Sequence, residues 1–387
     1  MYTVKLFNNI SKKGLDQFTD EFTTDENAVH EDAILVRSAN LHELDYNPEL
    51  KAIARAGAGT NNIDIPTCTE KGIAVFNTPG ANSNAVKELV FAGLLLASRD
   101  VYHSIEWCKS QKDNENLAKD VEKQKKKYAG HELAGKTLGV IGLGAIGIQV
   151  ANLAIQFGMN VLGYDPFISV DNAWKMSRNV KHVQNINDLL KESDFITLHI
   201  PLLDSTKDTL NKESFQITKD GVKILNFARG GLVNEDDLIE ALHTGKVAMY
   251  VTDFPSAKIA KEENVLPISH LGASTKESED NCAIKAAQEL MEYLKHGNIK
   301  NSVNLPTVSG AMESPYRITI IHQNKPKMIS QITEFLSNQD ANIENMLNKS
   351  KKEIAYTILD LDRKISEENL NKIRAINGVI RVNTYEA

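Results

Sequence analysis

The sequence predicts an α/β protein with two tandem doubly wound parallel-sheet units followed by a small βαββαβ module. Short apolar runs alternate with helical segments from the N-terminus: "TVKLF", "AILVRS", "LKAIARAG" and "IAVFN". A second alternating series begins after residue 135, with "TLGVIGLG", "NVLGYD", "FITLHI", "VKILNFA", "MYVTDF" and "VLPISH". Strands that alternate with helices pair in parallel and are covered on both faces. After Pro315 the order changes to strand, helix, strand, strand, helix, strand. That order describes a split βαβ with helices on one face of an antiparallel sheet.

Two long helical patterns connect these parts. One runs from Ser83 to about Gln111, can start on Asn82 or Ser83, and points Val86, Leu89, Val90 and Leu94 inward. The other runs from about Glu277 to His296 and returns the chain to the first unit. The first unit is therefore expected to be discontinuous, residues 1–92 with 278–305, around a second unit at 93–277. Residues 306–315 lie in a stretch of Ser, Pro and small residues that reads as a linker. The terminal module is expected at 316–387.

Composition narrows the function classes. A chain of 387 residues has room for two or three domains. Apolar residues at 42%, charged residues at 25% and a net charge of -7 fit a globular protein with no electrostatic attraction to nucleic acid. The lysine runs at Lys123, Lys125 to Lys127, and Lys351 with Lys352 read as solvated faces. The start has no apolar leader pattern, and the longest apolar stretch, Leu89 to Ala97, is far shorter than the about 20 residues a bilayer requires. A cytoplasmic location is expected. Cys68, Cys108 and Cys282 are widely spaced with no CxxC pattern, which argues for a reducing compartment and against a zinc or disulfide framework.

The chemistry concentrates in the second series. "VIGLGAIG" places Gly142, Gly144 and Gly147 as GxGxxG between a strand and a helix. Such glycines allow a tight turn and close approach of a pyrophosphate to free helix N–H groups. Asp165 ends the next strand, roughly 20 residues on, where a carboxylate would accept both ribose hydroxyls and repel a 2'-phosphate. NAD is thus expected in preference to NADP. "NFARGG" ends another strand in Arg229. An Arg is rarely buried without a partner, and at the carboxyl edge of such a sheet its guanidinium can clamp a substrate carboxylate. His270 in "ISHLGAST" reaches the same edge; an imidazole can give a proton to a carbonyl oxygen as it is reduced and take it back in reverse.

Together "LGVIGLGAIG", "NFARGG", "VTDFP" and "HLGAST" resemble the D-isomer-specific 2-hydroxyacid dehydrogenases. The resemblance implies a flavodoxin-like substrate domain and a Rossmann domain for NAD that close around a small 2-hydroxy or 2-oxo acid. It implies substrate contacts at Arg37, Ser38, Ala58, Gly59 and Asn82, and further cofactor contacts at Ala145, Ile146, Ile200, Phe227 and Asp253. Arg229 would orient the substrate and His270 would act as acid and base. Similar proteins carry a glutamate beside the histidine where this chain has Ala257, which implies a less firmly oriented ring and reduced activity unless Glu262 or Glu263 takes its place. The terminal module resembles an ACT domain. That implies an amino-acid effector such as L-serine at His322, Asn324 and Asn342, although Lys327 stands where the pattern has glycine, and assembly into a homodimer or homotetramer. Two other readings stay open: a dehydrogenase for glyoxylate, hydroxypyruvate, D-lactate or 2-hydroxyglutarate, and a weakly active regulator that senses NAD and amino acids.

Overall fold

In the computed structural model, which describes all 387 residues, the first apolar runs pair side by side. Strands β1 (Tyr2–Phe7), β2 (Phe22–Asp25), β3 (Ala33–Val36), β4 (Ala52–Arg55) and β5 (Ala74–Asn77) form a parallel sheet in the order β2-β1-β3-β4-β5. This is the flavodoxin-like order. All four residues of β3 are buried, as a strand covered on both faces requires. The Lys276–His296 helix lays Ala283, Ala286, Leu290 and Tyr293 against Val4, Leu35, Ala54 and Phe76.

The second series forms another parallel sheet. Its strands are β6 (Thr137–Ile141), β7 (Asn160–Tyr164), β8 (Val180–His182), β9 (Phe195–Leu198), β10 (Val222–Asn226), β11 (Val247–Thr252) and β12 (Val265–Pro267). They run in the order β12-β11-β10-β9-β6-β7-β8, a Rossmann arrangement whose direction reverses between β6 and β9. The Ser83–Ser98 helix buries Val86, Val90, Phe91 and Leu94 with Leu138, Val140, Leu225 and Phe227. For that reason the two compact units divide at Asn82/Ser83 and Thr275/Lys276, whereas the sequence pattern suggested 92/93 and 277/278. The helix expected to continue to about Gln111 stops at Ser98, because Asp100 caps a new helix, Val101–Ser110, by accepting from His103 N.

The terminal module is a four-stranded antiparallel sheet of β13 (Tyr316–Gln323), β14 (Ile343–Lys351), β15 (Ile354–Leu361) and β16 (Val379–Glu386), in the order β14-β15-β13-β16. It belongs to the same compact unit as the N-terminal sheet. Arg317, wholly buried, explains how the segment before it is held. Its Nε and Nη2 donate to the two oxygens of buried Asp360 at 2.6 and 3.0 Å. Nη1 donates to His296 O at 2.9 Å and Gly310 O at 3.2 Å, and Nη2 to Ala311 O at 2.7 Å. The stretch that reads as a linker is therefore fastened to the module. Tyr356 Oη adds a bond to Gly297 O at 2.7 Å, and Arg381 Nη2 one to Pro48 O at 3.0 Å. No helix is long and apolar enough to cross a membrane.

Removing one member of a buried ion pair leaves the other charge uncompensated, at a cost of about 3–5 kcal/mol. Asp360→Ala is accordingly expected to lower the urea midpoint of unfolding sharply. An unchanged midpoint would mean that the backbone carbonyls alone satisfy Arg317.

Candidate active site

Gly142 follows β6 with φ +94, a conformation that favours glycine, and donates its N–H to Tyr164 O at 2.8 Å. A Cβ there would lie 2.6 Å from His199 O, and one on Gly147 would lie 1.9 Å from Gly142 O. One on Gly144 would meet nothing within 4 Å. Two glycines thus serve packing, and the third leaves open space beside the N-terminus of the Gly147–Gln156 helix, where the diphosphate of a dinucleotide fits. Ala145 is exposed and Ile146 half-buried in the same turn. Asp165 is half-buried and oriented by two backbone donors, Leu143 N and Phe167 N, each at 2.8 Å. A carboxylate has about four acceptor sites, so two remain for ribose hydroxyls.

His199 is a residue the sequence reading missed. Burial pushes its ring down to about 3, so it is neutral, and Nε2 lies 3.0 Å from Thr197 Oγ1. Its main chain and the neighbouring Ile200 side chain form the floor under Gly142. Phe227, by contrast, is buried in the core against the Ser83–Ser98 helix.

Arg229 and His270 converge on a single ring. The Arg229 guanidinium carbon lies 6.0 Å from the centroid of Phe254, and the His270 ring packs on Phe254 with centroids 4.5 Å apart. Both side chains are exposed. Buried Asn226, the last residue of β10, shapes the turn: its Oδ1 accepts from Ala228 N at 3.2 Å and Arg229 N at 3.4 Å, while Nδ2 donates to Arg229 O at 2.9 Å. Nδ2 also lies 3.2 Å from Tyr250 Oη, whose phenol burial pushes up to about 12. Asp253 is buried, and its Oδ2 accepts from Gly272 N at 3.0 Å. Burial raises its carboxyl above the ordinary range, opposed by the Gly272 N–H and by the nearby His270 and Arg229. Ala257 is exposed, and Glu262 is engaged elsewhere, 2.7 Å from His243 Nε2.

The other compact unit holds the remaining expected contacts. Arg37 Nη2 is 2.6 Å from Glu279 Oε1, and Arg55 Nε donates to Arg37 O at 3.0 Å. Ser38 N donates to Asn8 Oδ1 at 2.9 Å, and Gly59 follows Ala58, whose carbonyl accepts from Asn77 Nδ2 at 2.6 Å. Asn77 N in turn donates to Asn301 O at 3.4 Å, and Asn301 Nδ2 donates to buried Glu289. Asn82 immediately precedes the Ser83–Ser98 helix.

In the terminal module, His322 is buried between Gln323 O and Thr357 Oγ1, at 2.8 and 2.9 Å. Asn324 is nearby, but Asn342 lies at the opposite end of the sheet, where its N–H donates to Asp362 Oδ1 at 2.9 Å. One chain does not bring the three together. Lys327 adopts φ +71 as the N-cap of the Met328–Ser337 helix, which explains why a glycine suits that position.

The family model of the D-isomer specific 2-hydroxyacid dehydrogenase NAD binding domain matches residues 91–272. The D-3-phosphoglycerate dehydrogenase of Haemophilus influenzae is 32% identical over 346 residues, which cover 86% of this chain and 81% of that protein. The chain therefore belongs to the D-isomer-specific 2-hydroxyacid dehydrogenase family, and residues 91–272 are its NAD-binding domain. The D-3-phosphoglycerate dehydrogenase of Methanocaldococcus jannaschii is 38% identical over 286 residues, 72% of this chain, and the match spans only 52% of that longer relative. A solved NAD+-bound 3-phosphoglycerate dehydrogenase from Entamoeba histolytica superposes with a TM-score of 0.59 at 27% identity, covering 78% of this chain and 98% of its own.

The glycine geometry separates two substitutions. Gly144→Ala is expected to leave the thermal midpoint unchanged and to weaken NADH binding at least tenfold, about 1.4 kcal/mol. Gly147→Ala is expected to lower the midpoint as well. Calorimetry and NADH fluorescence check both; equal NADH affinity in Gly144→Ala would mean that no phosphate approaches there.

Glu289 gives a pH prediction. Burial pushes its carboxyl up to about 7 from 4.5, opposed by Asn301 and by Lys285 and Lys300. The folded state therefore keeps this proton to higher pH than the unfolded chain, so the contribution is whole below about 4.5 and is lost as pH rises through about 7. Glu289→Gln, which cannot ionise, is expected to gain stability over the wild type across that interval. Urea midpoints that stay parallel from acid to neutral pH would contradict it.

Proposed function

We propose that the protein is an NAD-dependent D-2-hydroxyacid dehydrogenase that oxidises D-3-phosphoglycerate to 3-phosphohydroxypyruvate, the first step of a phosphorylated route to L-serine. The observation that carries the reaction class is the convergence of Arg229 and His270 on Phe254, at the strand ends of a sheet with an open glycine turn. The choice of phosphoglycerate rests on the relatives named above and on the presence of the terminal module.

Each residue's part follows from its chemistry. The planar Arg229 guanidinium pairs with the substrate carboxylate through two parallel N–H donors. His270 holds the transferred proton: it donates to the carbonyl oxygen in reduction and accepts from the hydroxyl in oxidation. Gly142, Gly144, Ala145, Ile146, Gly147, Ile200, Phe227 and Asp253 contribute to the NAD site, with Asp165 taking the ribose hydroxyls. Bound NAD supplies the two-electron redox chemistry. Arg37, Ser38, Ala58, Gly59 and Asn82 serve the substrate. In the module, His322 and Asn324 bind an amino acid such as L-serine together with Asn342 of a second copy, since one chain holds them at opposite ends of the sheet.

A panel of 2-oxo acids with NADH tests the reading. Turnover of 3-phosphohydroxypyruvate above glyoxylate, hydroxypyruvate, pyruvate and 2-oxoglutarate is expected. A different preference would keep the class and change the substrate. Tight NADH binding with no turnover of any acid would instead favour the regulatory protein that the exposed Ala257 suggests. His270→Gln is expected to lower kcat by roughly 10²- to 10⁴-fold, and Arg229→Lys to lower kcat/KM roughly 100-fold because a point charge cannot replace the planar fork.

A further inference from the structure

We infer that Glu279 sets the charge selectivity of the substrate site: its carboxylate competes with the anionic end of the substrate for Arg37, so that a phosphorylated acid is held less tightly than Arg37 alone would hold it. The inference deepens the reading above and rests on it at one point, that Arg37 is a substrate contact. A guanidinium at a strand end recognises a carboxylate or phosphate through its planar set of N–H donors. Its hold on a ligand depends on which of those donors are already in use.

Three observations select Glu279. First, Arg37 Nη2 donates to Glu279 Oε1 at 2.6 Å, the length of a charge-assisted bond, so the chain's own carboxylate holds one edge of the guanidinium. Second, the pair can open. Each side chain is 41% exposed, and ion pairs so accessible to water contribute little stability, so an incoming anion can take the place of the carboxylate. Third, Glu279 lies in the first turn of the Lys276–His296 helix, where the dipole of the helix favours negative charge. Once that carboxylate is removed, the same surroundings favour the negative end of a ligand instead.

The neighbouring charges are committed differently. Asp280, the next residue, accepts from Ser11 Oγ and lies 2.8 Å from Lys13 Nζ. Arg55 ends β4 and folds back over a glycine turn: its Nε donates to Arg37 O at 3.0 Å, and a Cβ on Gly57 would lie 1.9 Å from its Nη1. Arg37 and Arg55 thus bring positive charge to the ends of β3 and β4, and Glu279 offsets part of it. An acid that carries a phosphate meets this carboxylate with its most negative end. The same acid without its phosphate has no charge there and meets little repulsion.

The test compares kcat/KM of wild type and Glu279→Gln for 3-phosphohydroxypyruvate and for hydroxypyruvate, two acids that differ by the phosphate alone. Glutamine keeps the shape and removes the charge. The ratio of the two values is expected to rise roughly tenfold, through a lower KM for the phosphorylated acid, as removal of one charge beside a dianion in partly exposed surroundings implies. In an Arg37→Gln background the same change is expected to move the ratio less than about threefold, because coupled residues lose their effect together. A tenfold rise in that background as well would show that Glu279 acts without Arg37 and would overturn the inference. An unchanged or lower ratio would overturn it too, as would a higher KM for both acids, which would make Glu279 a support for Arg37 and not its competitor. If the wild type reduces no 2-oxo acid, the dehydrogenase reading fails and calorimetry decides this one. D-3-phosphoglycerate is then expected to gain affinity over D-glycerate in Glu279→Gln by the same factor, and equal gains, or no binding of either acid, would overturn it. Should Glu279→Gln not fold, Glu279→Ala replaces it with the same ratio expected.

Discussion

Side-chain oxygens that accept from backbone N–H groups at the carboxyl ends of β7, β10 and β11 hold the site of this protein together. A parallel sheet buried on both faces leaves its strand ends as the place where ligands can reach. The loops there have no ladder of their own. Asp165 fixes the glycine turn through Leu143 N, Asn226 fixes the Arg229 turn through Ala228 N and Arg229 N, and Asp253 fixes the His270 turn through Gly272 N. The exposed guanidinium and imidazole are thereby presented by loops whose backbones are constrained, a requirement for any site that must align a substrate closely. Phe254 then gives both side chains the same apolar surface.

The other unit follows a different logic. Its N-terminal sheet and terminal module are tied by a wholly buried guanidinium that collects a carboxylate and three main-chain carbonyls. Paired and fully hydrogen-bonded, such a charge specifies one arrangement rather than adding much net stability. The chain between the sheet and the module is thus ordered by Arg317.

Much of this was legible because burial on both faces writes continuous apolar runs. The strands missed, β2 and β8, are edge strands with a single buried residue each, so they carry no such signal. The break after Ser98 was hidden because residues on both sides keep a helical pattern; Asp100 marks it only if read as a cap. The linker-like composition before Pro315 said nothing of Arg317, whose partner is distant in sequence. The sequence placed Arg229, His270 and the three glycines just past strand ends, and that is where they lie. The support was harder to read: Asn226 works as a local turn cap within its own loop, while Phe254 and neutral His199 act through residues that only the fold brings together, which neither spacing nor composition encodes.

The proposed role of Arg229 and His270 beside a bound dinucleotide is tested most directly by titrating oxamate, an unreactive carboxylate analogue of a 2-oxo acid, into the protein with and without saturating NADH. Binding that requires NADH and is lost in Arg229→Ala, with NADH affinity itself retained, is the expected result. Oxamate that binds equally well without NADH, or that ignores the loss of the guanidinium, would contradict it.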